Sequence, residues 1–269
     1  MRTGQLGGMM ARMMKRILLS VLVVVCSTGC MRVSTLITLR QDGSGTIDQE
    51  IGINPQALAG LQAMAGGRGG KDEGPDDMFN DKKAREEAEK MGVRFVSGAP
   101  IDTPQMKGYH AKYAFDDIKT LKVRMQDAAS SHGDTKSANP FDFDFVKGAS
   151  SSTITIHIPQ DAQQTPMSQL GAGRGANAEQ AKQMLTMMKP MFAGMFVEVA
   201  LAVDGRIIKT NAPFVQGTKV TLVQVDMDTL LKDDTAFTKM QNAATPADLK
   251  GIPGLKMTTE PTVTIEFRK

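Results

Sequence analysis

The sequence predicts an α+β fold in which hairpins form an antiparallel or mixed sheet and helices pack mainly on one face of it. Three observations support this fold class. Short segments alternate between apolar and polar residues with a period of two. Turn-forming residues join several of these segments in pairs, and segments with helix caps interrupt the series of strands. The sequence therefore predicts one α+β domain over residues 30–269.

The first predicted hairpin joins strands at residues 31–40 and 46–53. Val33, Ile37 and Leu39 lie on one face of the first strand, and Asp42-Gly43-Ser44-Gly45 forms the turn. A second hairpin is predicted around Asp204-Gly205, which has strong turn chemistry. The complete set of later predicted strands covers residues 93–96, 108–115, 141–146, 153–158, 196–203, 207–210, 219–227 and 262–267.

Three helices are predicted from their end residues, and two short ones are predicted near residues 228–232 and 234–243. The first begins at Asn54-Pro55, because proline suits the first helical position. The second is capped by Asp76 or Asp77 and ends at Gly92. The third is a long helix, 178–194, interrupted at Pro190. Flexible loops are expected near residues 66–76, 126–140 and 159–176, where glycine and polar residues accumulate.

The first 29 residues have the three-part organisation of an export signal. Four basic residues precede an apolar run of about nine residues, Ile17 to Val25, and small residues follow. A helix that spans a bilayer needs about 20 apolar residues, so this run predicts a cleaved signal peptide at residues 1–29.

The segment Ser27-Thr28-Gly29-Cys30 resembles the lipobox of bacterial lipoproteins, although Ser27 stands where leucine is commonest. The resemblance implies that Gly29 is the last residue removed. It also implies that the Cys30 sulfur carries a diacylglyceryl group, a palmitate-type lipid anchor. An ordinary secretory peptide with Cys30 as a free thiol is the alternative.

Longer segments resemble uncharacterised bacterial envelope lipoproteins, in which a strand hairpin starts directly after the lipidated cysteine. These segments are 30–46, 203–212 and 217–222. The resemblance implies a location in the bacterial cell envelope, attached to the membrane through the N-terminal lipid. Met31 rather than aspartate after the cysteine favours the periplasmic face of the outer membrane in a Gram-negative host. The resemblance implies no known activity.

Composition excludes several classes of function. The full chain has 32 basic and 29 acidic residues, and the leader contains four of the basic ones, so 28 against 29 remain after cleavage. This near-neutral balance gives no support for nucleic-acid binding. Only Cys30 would survive cleavage of the leader, so no disulfide can form within the mature chain. The chain has no tryptophan and two tyrosines, which argues against a carbohydrate or base-stacking platform.

Several motifs that mark metal, cofactor or catalytic sites in other proteins have simpler interpretations in this sequence. Asp42 to Asp48 resembles part of a calcium loop, but Arg40 and Ile51 occupy the positions that need acids. The run 171–176 matches a dinucleotide fingerprint but lacks the strand that must precede it. The three histidines are far apart and show no metal-ligand spacing. The sequence therefore predicts a protein that is not an enzyme and has no cofactor and no metal site.

Methionines recur at helical spacing in the third predicted helix. This spacing is typical of a core-facing stripe, and it also fits an adaptable surface for an apolar ligand or a protein partner, or a set of Cu(I) ligands. The first hypothesis is a non-enzymatic interaction or assembly module with an envelope protein as its partner. The alternative is a module that binds an apolar or lipid-like ligand in a pocket under the helix at 178–194. The residues of the stripe are Met184, Met187, Met188, Met191 and Met195.

Overall fold

The computed structural model describes residues 31–57, 59, 79–124, 139–159, 192–233, 235, 236, 239, 240, 243 and 245–269. Strands predominate in this part of the chain and form two sheets. The fold is thus broadly α+β, as expected, but mostly β. The strands are β1 (Met31–Leu39), β2 (Gly45–Ile53), β3 (Arg94–Asp102), β4 (Lys107–Phe115), β5 (Asp142–Lys147), β6 (Ser152–His157), β7 (Phe196–Val203), β8 (Arg206–Thr210), β9 (Val215–Gln216), β10 (Lys219–Asp226), β11 (Leu255–Met257) and β12 (Thr262–Arg268). The helices are α1 (Asp81–Met91), α2 (Met227–Leu230) and 3-10 turns at Ile118–Thr120 and Pro246–Leu249.

The large sheet has the strand order β11-β10-β7-β1-β2-β4-β3, with β9 paired to β10. Every pairing in it is antiparallel except the parallel pairing of β1 with β7, so the sheet is mixed. β1 therefore lies in the interior of the sheet, between β2 and β7. A parallel neighbour needs a long crossover, which the chain supplies because more than 150 residues separate the two strands.

The predicted first hairpin is confirmed. β1 and β2 pair along their whole length, from Met31 opposite Ile53 to Leu39 opposite Gly45. In the connecting turn, an Asp42 carboxylate oxygen accepts hydrogen bonds from the Ser44 backbone N–H at 3.0 Å and the Ser44 hydroxyl at 2.7 Å. The calcium-loop resemblance is therefore a hairpin turn.

Alternation along the strands gives the large sheet an inner face, which lies on the core, and an outer face. On β1 the inner positions, such as Val33 and Ile37, are fully buried, whereas Arg32 on the outer face is exposed. The central strands follow the same period of two, which is the pattern that places one face of a sheet on a core.

The small sheet has the order β5-β6-β12-β8, and all its pairings are antiparallel. The predicted hairpin of β5 with β6 is confirmed. The Ser152 hydroxyl donates to the Gln41 carbonyl at 3.0 Å, which holds the small sheet beside the β1–β2 turn. The buried side chains of the small sheet join those of the large sheet in one core; they are Phe143, Ile154, Ile156, Val263, Ile265 and Phe267.

The predicted hairpin at Asp204-Gly205 is wrong. β7 pairs with β1 and β10 in the large sheet, whereas β8 pairs with β12 in the small sheet. Asp204 and Gly205 do form a turn, but this turn connects a strand of the large sheet to a strand of the small sheet. Gly205 has a φ of 151°, and a Cβ there would lie 2.3 Å from the Arg268 carbonyl oxygen. A close approach of the two backbones therefore requires glycine at this crossing.

Helix α1 starts later than the sequence pattern suggested. Its cap is Asn80, not Asp76 or Asp77, and the Asn80 side chain accepts from the Lys83 backbone N–H at 3.0 Å. Gly92 ends the helix in the left-handed conformation, as predicted. α1 buries Ala84, Ala88 and Met91 in the core and lies beside β3.

A layer of helices on one face of the sheet is not seen in the described residues. α2 is a single short helix that follows β10 and buries Met227 and Leu230 in the same core. Most of the predicted helix after Asn54-Pro55, and the helix 178–194 up to residue 191, lie outside the described residues. The predicted loops 66–76, 126–140 and 159–176 lie outside them as well, apart from their outermost residues.

The crossing at Gly205 gives a direct test of the two-sheet arrangement. We expect Gly205→Ala to lower the free energy of unfolding by about 2–4 kcal/mol, because backbone strain adds to a collision with the Arg268 carbonyl. Gly217 is the matched control: its φ is 61° and a Cβ there meets nothing within 4 Å. Gly217→Ala should cost only about 1–2 kcal/mol, the strain of the left-handed conformation alone. Denaturant unfolding measures both, and equal losses would contradict the collision.

Candidate functional site

The candidate site is the end of the large sheet at which β1 begins, here called the anchor end. It comprises Met31 and its opposite residue Ile53, together with Phe196 and Asp226 on the neighbouring strands β7 and β10. Of the residues predicted from sequence, only Met195 is described. The predicted residues that lie outside the described part of the chain are Gly29, Cys30, Met184, Met187, Met188 and Met191.

The first residue of β1 follows Cys30 directly, and backbone pairing fixes this strand on both sides. Met31 lies opposite Ile53 of β2, and Arg32 lies opposite both Gly52 and Phe196. Hence no linker separates position 30 from the folded sheet. Any group attached to Cys30 would be held within a few residues of the anchor end.

Two neighbours fix the Arg32 side chain on the outer face. Its guanidinium lies 4.7 Å from the centre of the Phe196 ring, and its Nε is 3.1 Å from Glu50 Oε1. Cross-strand register explains the contact with Phe196, because the two residues are paired in parallel strands. The Arg32 and Glu50 side chains are 46% and 37% exposed, so water weakens their ion pair.

Met195 lies at the anchor end, immediately before β7, and packs against the core. Its N–H donates to the Phe192 carbonyl at 3.0 Å, and its carbonyl accepts from the Met227 N–H at 3.0 Å. Its side chain is partly buried among core residues. This methionine therefore contributes to the packing around the core.

Further ion pairs cross the strands of the outer face. Asp48 lies 3.5 Å from Lys112 Nζ and 3.9 Å from His110 Nε2. The Lys219 ammonium donates to both oxygens of Glu198 at 2.8 Å. Both signs of charge therefore alternate over this face, which suits a solvated or protein-contacting surface better than a polyanion site.

A histidine and a carboxylate form a close pair on the small sheet. His157 Nε2 lies 2.9 Å from Asp144 Oδ2, and both side chains are exposed on the outer face. His110 is also exposed, and His132 lies outside the described residues. Among the described residues no group of three or more His, Cys, Asp or Glu side chains is placed to hold a metal ion.

The inner face of the large sheet contains a buried polar contact. The Tyr113 hydroxyl donates to Gln49 Oε1 at 3.1 Å, and the two side chains are 1% and 6% exposed. Burial raises the pKa of Tyr113 far above its ordinary value, and the nearby Glu87 carboxylate adds to the shift. This tyrosine therefore stays protonated at physiological pH. It is not available as a base.

In the turn between β1 and β2, hydrogen bonding shifts the pKa of a carboxyl group in the opposite direction from that of Tyr113. Hydrogen bonds from the Ser44 hydroxyl and backbone lower the pKa of Asp42, although the group is exposed to solvent. The carboxylate therefore remains ionised and keeps its acceptor role in the turn down to acidic pH. The hydrogen bonds between Asp42 and Ser44 therefore stabilise the turn and do not form a catalytic arrangement.

Sequence reasoning did not identify the Arg32, Glu50 and Phe196 group. Arg32 and Glu50 are outer-face residues of the predicted hairpin, so their register was available from the sequence. The approach of Phe196 was not, because its strand lies far away in the chain and joins β1 in parallel. The buried Tyr113–Gln49 contact was not predicted either, because the alternation of two strands does not show which of their side chains meet.

No described helix is both long and apolar enough to cross a membrane. No family model matches the sequence, and no curated protein matches it. One solved structure is similar, the folded domain of the LppM protein of Mycobacterium tuberculosis, determined by NMR. It is 12% identical, and the alignment covers 89% of this chain and 90% of that chain with a TM-score of 0.35. At that TM-score the likeness supports no statement about fold or function.

The buried contact of Tyr113 with Gln49 can be tested by a double-mutant cycle. Tyr113→Phe should destabilise the fold by about 1–3 kcal/mol, because it leaves a buried amide without its donor. Adding Gln49→Met to Tyr113→Phe should restore much of the loss, since both polar groups are then replaced by apolar ones. Urea denaturation measures Tyr113→Phe, Gln49→Met alone and the double variant. A double variant as unstable as the sum of the two single variants would contradict the pairing.

Proposed function

We propose that the protein is a lipid-anchored lipoprotein of the bacterial cell envelope that acts as a non-enzymatic interaction or assembly module. The leader is of export type, and the acyl chains would be attached to Cys30. In a Gram-negative host, Met31 after the cysteine favours the periplasmic face of the outer membrane. A protein partner in the envelope is the expected ligand of such a module.

One observation carries the proposal: an interior strand of the sheet begins at the residue that follows Cys30. A flexible tether would let a domain sample many orientations at the membrane. Here the lipid would connect directly to β1, which is hydrogen-bonded on both sides. The strands of the large sheet would then be held in a restricted orientation relative to the bilayer.

The outer face of the large sheet supports a role in protein contact. It carries both signs of charge and exposes His110 and Lys112 near the edge strand β3. Surfaces of this kind set the specificity and orientation of an encounter more than its strength. No catalytic arrangement of side chains is found among the described residues, which is compatible with a role in binding.

Binding of an apolar or lipid-like ligand stays the alternative prediction. Its pocket was expected under the helix 178–194, which lies outside the described residues except at its end. No contact among the described residues favours it over the interaction module.

Substitution of Cys30 tests the anchor. In the native host, Cys30→Ser should move the protein from the membrane fraction to the soluble envelope fraction or leave the leader uncleaved, because acyl chains contribute about 0.8 kcal/mol for each buried CH2 group. Cys26→Ser is the matched control and should stay in the membrane fraction, since this cysteine lies within the predicted leader. Mass spectrometry of the wild-type N-terminus should find a diacylglyceryl adduct on Cys30. An unmodified thiol there would overturn the anchoring proposal.

A further inference from the structure

The two outer strands of the small sheet have complementary surfaces. β5 forms one edge of the sheet and β8 the other, and no further described strand pairs with either of them. Asp142 and Asp144 are exposed on β5, whereas Arg206 and Lys209 are exposed on β8. β5 also exposes Lys147, so with two carboxylates and one lysine it forms a net acidic edge, whereas β8 forms a basic edge at the opposite side of the same sheet.

The same two strands also expose large aliphatic side chains. Val146 on β5 is 67% exposed, and Ile208 on β8 is 47% exposed. An edge strand presents unpaired backbone groups, and exposed aliphatic residues on it favour pairing with another chain. β5 has continuous register with β6 and contains no proline or bulge. The 3-10 turn at Ile118–Thr120 lies beside β5, and the Phe143 N–H donates to Asp142 Oδ1 at 3.1 Å, a bond that a paired strand would replace.

We propose that β8 of one copy pairs with β5 of a second copy of this chain in antiparallel register, so that the small sheets join edge to edge. Each copy thus binds β5 of one identical molecule through its own β8, and β8 of another through its own β5.

The pairing that β8 already makes on its other side sets the register. There Lys209 lies opposite Glu266, Ile207 opposite Phe267 and Arg206 opposite Arg268, with Ile208 bulged out between them. Glu266-Phe267-Arg268 has its charged residues on the outer face and phenylalanine in the core.

β5 presents the same three-residue pattern in Asp142-Phe143-Asp144, with Phe143 buried. In the equivalent register on the free side of β8, Asp142 faces Lys209 and Asp144 faces Arg206, the first residue of β8. Val146 and Lys147 then extend past β8 and make no pair with it. Asp144 also contacts His157 within its own chain, but a carboxylate can accept several hydrogen bonds. Two opposite-charge pairs therefore form across the joint.

The proposed pairing of β8 with β5 also keeps every pair of neighbouring strands antiparallel. The four strands alternate in direction, so a β5 strand added next to β8 continues the alternation. All copies then have their anchor ends on the same side, as attachment to one membrane demands. This last point rests on the proposed function, whereas the edge pairing does not. Because the contact is head to tail, it builds rows rather than closed dimers.

A charge-swap experiment on the full-length protein, purified in a mild detergent, tests the pairing by sedimentation velocity. The wild type should form species larger than dimers as its concentration rises, and high salt should weaken the association. The double variant Arg206→Glu/Lys209→Glu should associate about tenfold or more weakly, because two attractive pairs become repulsive. Asp142→Lys/Asp144→Lys should do the same, and a mixture of the two variants should regain the wild-type association.

The matched control is Lys82→Glu/Lys83→Glu, which makes the same change of net charge on the exposed face of α1. It should associate as the wild type does. The inference is overturned by a wild type that stays monomeric at every concentration, by a control that weakens as much as the edge variants, or by a mixture that fails to associate although circular dichroism shows both variants folded. Mass spectrometry of Cys30 reports separately on the anchor, so the two proposals can fail independently.

Discussion

The pairing of β1 with β2 on one side and β7 on the other is the constraint on which the rest of the structure depends. These pairings make β1 an interior strand of the large sheet and fix which of its residues face the core. A slip of one residue would turn Val33 and Ile37 to the outer face, so the buried pattern holds the register strongly. The same pairing fixes the position of Arg32 against Phe196 and Glu50.

Two sheets share one hydrophobic core, and a few tight contacts of the backbone make this arrangement possible. The Gly205 crossing sends consecutive strands into different sheets, and the Ser152 hydroxyl ties the small sheet to the β1–β2 turn. The small sheet therefore packs beside the turn of the first hairpin, at the end of β1 opposite the anchor end. This geometry leaves the edges of the small sheet as surfaces separate from the anchor end.

Local patterns predicted much of this fold. Alternation and turn residues located the β1–β2 and β5–β6 hairpins, and Gly92 marked the end of α1. The start of α1 was predicted wrongly, at Asp76 or Asp77, because Asn80 caps a helix as well as aspartate does and packing decides which residue is used. The Asp204-Gly205 turn was located correctly, but its partners were not, since a turn does not specify which strands lie beside it.

The sequence by itself determined the faces of the central strands, and it predicts an export-type leader followed by a chain of near-neutral charge. These properties depend on composition and on neighbours within a few residues. Only the tertiary structure decided that β1 and β7 pair in parallel, that β7 and β8 separate into two sheets, and that the acidic and basic edges belong to the same sheet. Those features join residues far apart in the chain, because burial of one common core, rather than local propensity, selects the strand partners.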